Sequence, residues 1–150
     1  MKLGELLNQK DFKYRVVVTV KPKETISATL QKMVEHDRGA LPVCDDNGEL
    51  VGIITERDIV RKCFTGSVDC ARLKVQDVMS KKVAIGKPED DLDYAISVMK
   101  QERIRHLPVI ENKKVIGMIS MRDLLGVKLE ESTNKVRYLT DYISGGFTQE

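Results

Sequence analysis

The chain has 150 residues, 41% of them hydrophobic and 32% charged, a globular composition of single-module size that leaves out disorder. A net charge of +2, no Trp, three Phe and four Tyr supply neither the basic excess used on duplexes nor an aromatic platform for single strands. Apolar runs such as residues 16–20 are too short to span a bilayer, and polar residues interrupt the N-terminus where a signal peptide has its apolar core. The expectation is a cytoplasmic protein with no membrane or nucleic-acid partner.

In chain order, residues 1–9 read as a short helix. The β-rich run 16–20 ends at Lys21-Pro22, where proline stops a strand. Thr25 is a helix cap, and Ile26, Leu30, Met33 and Val34 follow at helical spacing. A strand over 40–44, the hairpin turn Asp45-Asp46-Asn47-Gly48, a strand over 50–55 and a helix over 56–63 complete this half. The stretch 64–75, with Gly66 and Ser67 and no clear period, is a link.

The same order then recurs. A strand over 83–85 ends at Lys87-Pro88, Asp90 or Asp91 caps a helix bearing Leu92, Ile96 and Met99, and a strand covers 106–110. The weaker turn Glu111-Asn112-Lys113 leads to a strand over 115–120 and a helix over 121–127. Residues 128–144, with Val136, Leu139, Tyr142 and Ile143, form a terminal amphipathic helix that covers the module or a partner. The cysteines Cys44, Cys63 and Cys70 are odd in number and lack a Cys-x-x-Cys, which indicates neither a disulfide framework nor a zinc site. Cys44 reads as core, while Cys63 and Cys70 flank a loop.

The repeat is internal sequence similarity. A shift of 66 places Val17, Lys21, Pro22, Met33, Leu41, Pro42 and Val43 on Val83, Lys87, Pro88, Met99, Leu107, Pro108 and Val109. After one residue is lost in a turn, a shift of 65 places Gly52, Ile54, Arg57 and Asp58 on Gly117, Ile119, Arg122 and Asp123. The fold class expected is α+β: two pseudo-symmetric β-α-β-β-α repeats packed through their sheets, with helical extensions at both ends.

The motif around residues 55–58 and 120–123 is chemically suggestive. Thr55 and Ser120 end a strand just before a helix, so their hydroxyls could cap that helix or donate to a ligand. Unpaired first-turn N–H groups and the helix dipole favour anions there. Asp58 and Asp123, three residues on, could accept hydrogen bonds from vicinal ribose hydroxyls, or could simply complement the dipole. Arg57 and Arg122 lie beside them, Arg105 and His106 precede Leu107-Pro108-Val109, and Lys81 and Lys82 precede the second β-rich run. No Ser–His–Asp order, phosphate-binding Gly-x-x-x-x-Gly-Lys loop or metal-ligand cluster is visible, and His36 and His106 are not equivalent in the repeat, so no enzyme is expected.

The segments GELVGIITERDI (48–59) and KKVIGMISMRDL (113–124), each preceded by Leu-Pro-Val, resemble the CBS domain, two of which in tandem form a Bateman module. The chain as a whole resembles stand-alone bacterial CBS-pair proteins. That division gives repeat 1 with an N-terminal extension over 1–63, a linker over 64–75, repeat 2 over 76–127, and a helix and tail over 128–150. The resemblance implies a non-catalytic sensor that binds AMP, ADP, ATP or NAD(H) in clefts between the repeats, requires no cofactor or metal, forms a homodimer and signals to a regulated protein. It assigns Asp58 and Asp123 to ribose, Thr55 and Ser120 to phosphate or ribose, and Arg105 and His106 to phosphates. Adenine would lie against Val17, or against Val83 and Ile85 beside Lys82. Repeat 1 departs from the pattern with Gly39 and Ala40 in place of Arg105 and His106. The alternatives are a ligand-free interaction scaffold or an S-adenosylmethionine sensor.

Overall fold

The structure, a computed structural model, describes residues 1–13, 15–65 and 69–143. Each half is built on a two-stranded antiparallel hairpin, β1 (Ala40–Cys44) with β2 (Leu50–Thr55) and β3 (His106–Glu111) with β4 (Lys114–Ser120). The registers agree, with Leu41 opposite Ile54 and Leu107 opposite Ile119. Both turns are set by their residues. The Asp45 side chain accepts from the N–H groups of Asn47 and Glu49 at 2.9 Å, and Gly48 supplies φ +79°. In the second turn Asn112 and Lys113 both take positive φ.

The β-rich runs 16–20 and 83–85 are not strands. Only Val20 and Gly86 pair, each by a single parallel bridge to Val43 and Val109. Proline is the reason. Val20 donates to the Pro42 carbonyl and accepts from the Cys44 N–H, and Gly86 does the same with Pro108 and Ile110. The next rung back would require an N–H from Pro42 or Pro108, which neither has.

α1 (Leu3–Leu7) and α2 (Lys10–Lys13) open the chain, and α3 (Ile26–His36) and α4 (Glu56–Thr65) flank the first hairpin. A short 3-10 turn at Cys70–Arg72 leads to α5 (Val75–Val78), followed by α6 (Leu92–Glu102) and α7 (Met121–Ile143). Thr25 caps α3 by accepting from the Ala28 N–H at 3.1 Å; Asp91 takes the equivalent place before α6 without a side-chain cap bond. The two helices expected over 121–127 and 128–144 are one continuous helix, since nothing between Val127 and Lys128 breaks the period. Ser144 and the side chains of Tyr142 and Ile143, like Gly66 and Ser67, lie outside the described residues.

Two cores result. One contains Ile26, Met33, Leu41, Val43, Ile54 and Ile59, the other their counterparts Leu92, Met99, Leu107, Val109, Ile119 and Leu124. Val34, expected on the apolar face of α3, is 81% exposed. The short helices cross over. Leu3 and Leu6 of α1 are fully buried in the second core, whereas Val75 of α5 is fully buried in the first. Their settings match: Lys2 bridges Asp91 and Lys74 bridges Thr25, the two residues that precede α6 and α3. Gly52 and Gly117 serve this arrangement. A Cβ at Gly52 would lie 2.8 Å from Met79 Sδ and 2.9 Å from the Ser80 carbonyl, and one at Gly117 would lie 2.8 Å from a Leu7 methyl.

Cys63 and Cys70 form a disulfide, contrary to the expectation from the odd cysteine count. The end of α4 and the 3-10 turn bring their Cα atoms to 5.6 Å, within bonding range, and leave the buried Cys44 as the free thiol.

Candidate functional site

At the start of α4 and of α7 the same reciprocal pair forms. The Asp58 N–H donates to Thr55 Oγ1 and the Thr55 N–H donates to Asp58 Oδ2, both at 3.1 Å. The Asp123 N–H donates to Ser120 Oγ at 3.0 Å, and the Ser120 N–H to Asp123 Oδ2 at 2.9 Å. These are capping boxes, in which each side chain satisfies a backbone donor that the first helical turn leaves open. Both hydroxyls accept a helix N–H, and each aspartate is held in one orientation with lone pairs to spare on its second oxygen.

Around Asp123 the two repeats enclose a cleft of about 970 Å³. Residues 16–18 and the turn and strand 37–42 form one wall; Arg105, His106 and residues 116–118 and 120–123 form the other. The backbone before β3 is pinned there, because the Arg105 carbonyl accepts from the Met121 N–H at 2.8 Å. Lys13, Arg15, Arg38, Arg105 and Arg122 line the space against Asp37, Glu111 and Asp123, so it favours an anion. His106 faces Ser120 across the hairpin. Burial pushes its imidazole below the ordinary value of 6.5, and Arg105 adds to this against the opposing pull of Asp123 and Glu56.

Asp123 has a further partner. Arg15 Nη1 lies 3.3 Å from Oδ2 and 3.4 Å from Oδ1, and Nη2 lies 3.4 Å from Oδ1. The guanidinium rests over the Phe12 ring, 4.1 Å from its centre, and its Nε donates to the Asp11 carbonyl at 3.2 Å.

Residues 10–64 and 75–130 match the CBS domain family. The chain belongs to the CBS-domain family, with two CBS domains in tandem. It is 35% identical over 128 residues to the mitochondrial CBS domain-containing protein CBSX3 of Arabidopsis thaliana, covering 83% of this chain and 62% of that one, so it spans less than two thirds of that relative. The crystal structure of the CBS-domain containing protein ATU1752 from Agrobacterium tumefaciens superposes with a TM-score of 0.76 at 32% identity, covering 85% of this chain and 92% of that one. CBSX2, crystallised in complex with AMP, shares the fold with a TM-score of 0.72 at 22% identity over 86% of this chain and 97% of its own. The architecture is the α+β CBS fold, and the chain is a CBS-pair module of the regulatory kind.

Of the residues singled out in the sequence, the large cleft between the CBS repeats brings together Val17, Arg105, His106, Ser120, Arg122 and Asp123. Val83 and Ile85 line a shallower cavity of about 340 Å³, with Lys81 and residues 49–51. Thr55, Arg57, Asp58 and Lys82 line neither cavity. The pseudo-symmetry of the CBS pair is thus unequal at its sites. Phe12, Arg15 and Arg38 line the large cleft and were not signalled by the motif. Arg15 had one available clue: the 66-residue shift puts it on Lys81, directly before the second β-rich run. Among the described residues no group of three His, Cys, Asp or Glu is placed to hold a metal ion, and no helix is long and apolar enough to cross a membrane.

Proposed function

We propose that this CBS pair is a non-catalytic cytoplasmic sensor whose larger cleft binds an adenine nucleotide, AMP, ADP, ATP or NAD(H), and reports its level to a regulated protein. The observation that carries the reading is the Asp123 carboxylate, held by its capping contacts, in the lining of a cation-lined cleft of about 970 Å³, a volume in the range of nucleotide-sized ligand sites. In this reading Asp123 accepts the ribose hydroxyls, Arg105, His106 and Arg122 meet the phosphates, the Ser120 hydroxyl contacts phosphate or ribose, and Val17 contacts adenine. Asp58, Thr55 and Arg57, with Lys82, Val83 and Ile85, are left for a second nucleotide, although only Val83 and Ile85 of these line a cavity; Gly39 and Ala40, the repeat 1 equivalents of Arg105 and His106, lie on the wall of the large cleft and bring it no charge. A ligand touching both repeats changes their relative arrangement to the extent that it binds one arrangement better.

A homodimer completes the reading. Val60 and Phe64 on α4 are 51% and 87% exposed, and their counterparts Leu125 and Leu129 on α7 are 53% and 69% exposed. Exposed apolar side chains at equivalent positions of the two repeats are the pattern that an interface between two copies of the pair would use. Phe64→Glu is expected to convert a dimer to a monomer in sedimentation equilibrium.

The deciding experiment is a thermal-shift screen with AMP, ADP, ATP, NAD, NADH and S-adenosylmethionine, since a ligand that binds only the folded state raises Tm. A shift that Asp123→Ala abolishes is the expected result. A flat response to all six would replace the sensor with an interaction scaffold, and a response to S-adenosylmethionine alone would refute the phosphate assignment.

A further inference from the structure

We infer that Arg15 is an internal competitor for the ligand: its guanidinium occupies the ribose position on Asp123, and a nucleotide enters the large cleft by displacing it. The inference rests on the proposed nucleotide reading. A guanidinium presents two parallel N–H donors to a carboxylate, as the two vicinal hydroxyls of ribose present two O–H donors. Arg15 spans both Asp123 oxygens at 3.3–3.4 Å, and Oδ2 also accepts the Ser120 N–H. No lone pair directed into the cleft is then left for a ribose while Arg15 stays.

The arginine is placed there by its own segment and not by the cleft alone. Its backbone N–H donates to the Phe12 carbonyl, its Nε to the Asp11 carbonyl, and its guanidinium lies on the Phe12 ring. Phe12 in turn packs on the core of repeat 2. Displacement of Arg15 therefore loosens α2, which makes α2 the element that registers occupancy. The device is one-sided. Asp58 makes the same capping contacts with Thr55, but the residue equivalent to Arg15 is Lys81, which lines the shallower cavity instead.

The test uses Arg15→Met, which keeps the apolar stem and removes the donors. Calorimetric titration with adenosine, which carries no phosphate and so is indifferent to the lost positive charge, is expected to give binding about three- to five-fold tighter than wild type, the size of a partly exposed ion pair. AMP is expected to bind at least as tightly as to wild type, and Asp123→Ala to bind neither. Equal or weaker adenosine binding by Arg15→Met, with wild type binding normally, overturns the competitor. Hydrogen exchange without any ligand supplies the independent reading: residues 10–13 are expected to exchange faster in both Arg15→Met and Asp123→Ala. If neither wild type nor Arg15→Met binds any adenosine compound, the nucleotide reading fails, while unchanged exchange at residues 10–13 refutes the Arg15 contact as a latch.

Discussion

Gly52→Ala and Gly117→Ala make equivalent changes in the two repeats and should have unequal costs. Both new methyl groups would arrive 2.8 Å from a neighbour, but the neighbours differ. At Gly117 the contacts are the two Leu7 methyls at 2.8 and 3.2 Å, the far end of a side chain that borders the large cleft and has room to turn. At Gly52 the second contact, at 2.9 Å, is the Ser80 carbonyl, which the Ile53 N–H holds at 3.0 Å while Ser80 donates back at 2.9 Å. Backbone fixed by two hydrogen bonds cannot shift without losing them. Overpacking costs about 1–3 kcal/mol, and Gly→Ala recovers about 0.4–1 kcal/mol by restricting the unfolded chain. Gly52→Ala should therefore lose about 2 kcal/mol, and Gly117→Ala less than about 1 kcal/mol. For a chain of this length these correspond to Tm falls of about 4–8 °C and at most about 4 °C. Urea unfolding of both variants beside wild type measures the difference, and a Gly117→Ala loss equal to or larger than that of Gly52→Ala would refute the reasoning.

Leu6→Ala, at a fully buried position, should cost about 2–5 kcal/mol, with the chemical-shift changes concentrated in repeat 2 although the mutation precedes repeat 1. Thr55→Ala and Ser120→Ala each remove a helix cap and should each lower unfolding free energy by about 1 kcal/mol, measured in urea. Reducing Cys63–Cys70 opens a short loop of sequence separation 7, and its closure entropy predicts a loss of about 2.5 kcal/mol, read as a lower Tm with reductant that Cys63→Ser reproduces. Because burial lowers the His106 pKa, the unfolded chain takes up a proton that the folded chain resists. Its stabilising contribution is complete above pH 6.5 and declines as pH falls from there toward the folded value. His106→Gln should flatten that part of the stability profile in urea titrations between pH 7 and pH 5, and an unchanged slope would exclude the imidazole as its source.

The hairpins, the helices α3, α4 and α6, and the Thr55 and Ser120 caps were legible because each signal is local and occurs in both repeats. Leu41-Pro42-Val43 and Leu107-Pro108-Val109 carry strand, register and core position within three residues. The same prolines concealed the limit of the preceding segments: residues 16–20 have every compositional mark of a strand, yet without a Pro42 N–H the pairing stops at Val20. The crossing of α1 and α5 escaped because Lys2 and Lys74 are related by a shift of 72, not the 66 that aligns the rest. Val34 satisfied the helical period yet faces outward with Leu30 one turn before it, because the stripe that α3 buries runs through Ile26, Thr29 and Met33. Arg15 and Asp123 are 108 residues apart, and no pattern along the chain announces such a pair.

The crossing of the short helices also decides how the module can be divided. A cut in the link between Cys70 and Val75 would not release two repeats. It would give one piece carrying Leu3 and Leu6 with no core to receive them and a hollow where Val75 belongs, and a second piece with the reverse defect. The halves are clasped, each completed by a strap from the other's side of the chain. Mixing the two pieces should restore a folded complex where neither folds alone. In the intact chain, a ligand can tilt the halves about the cleft, but it cannot part them without emptying both cores.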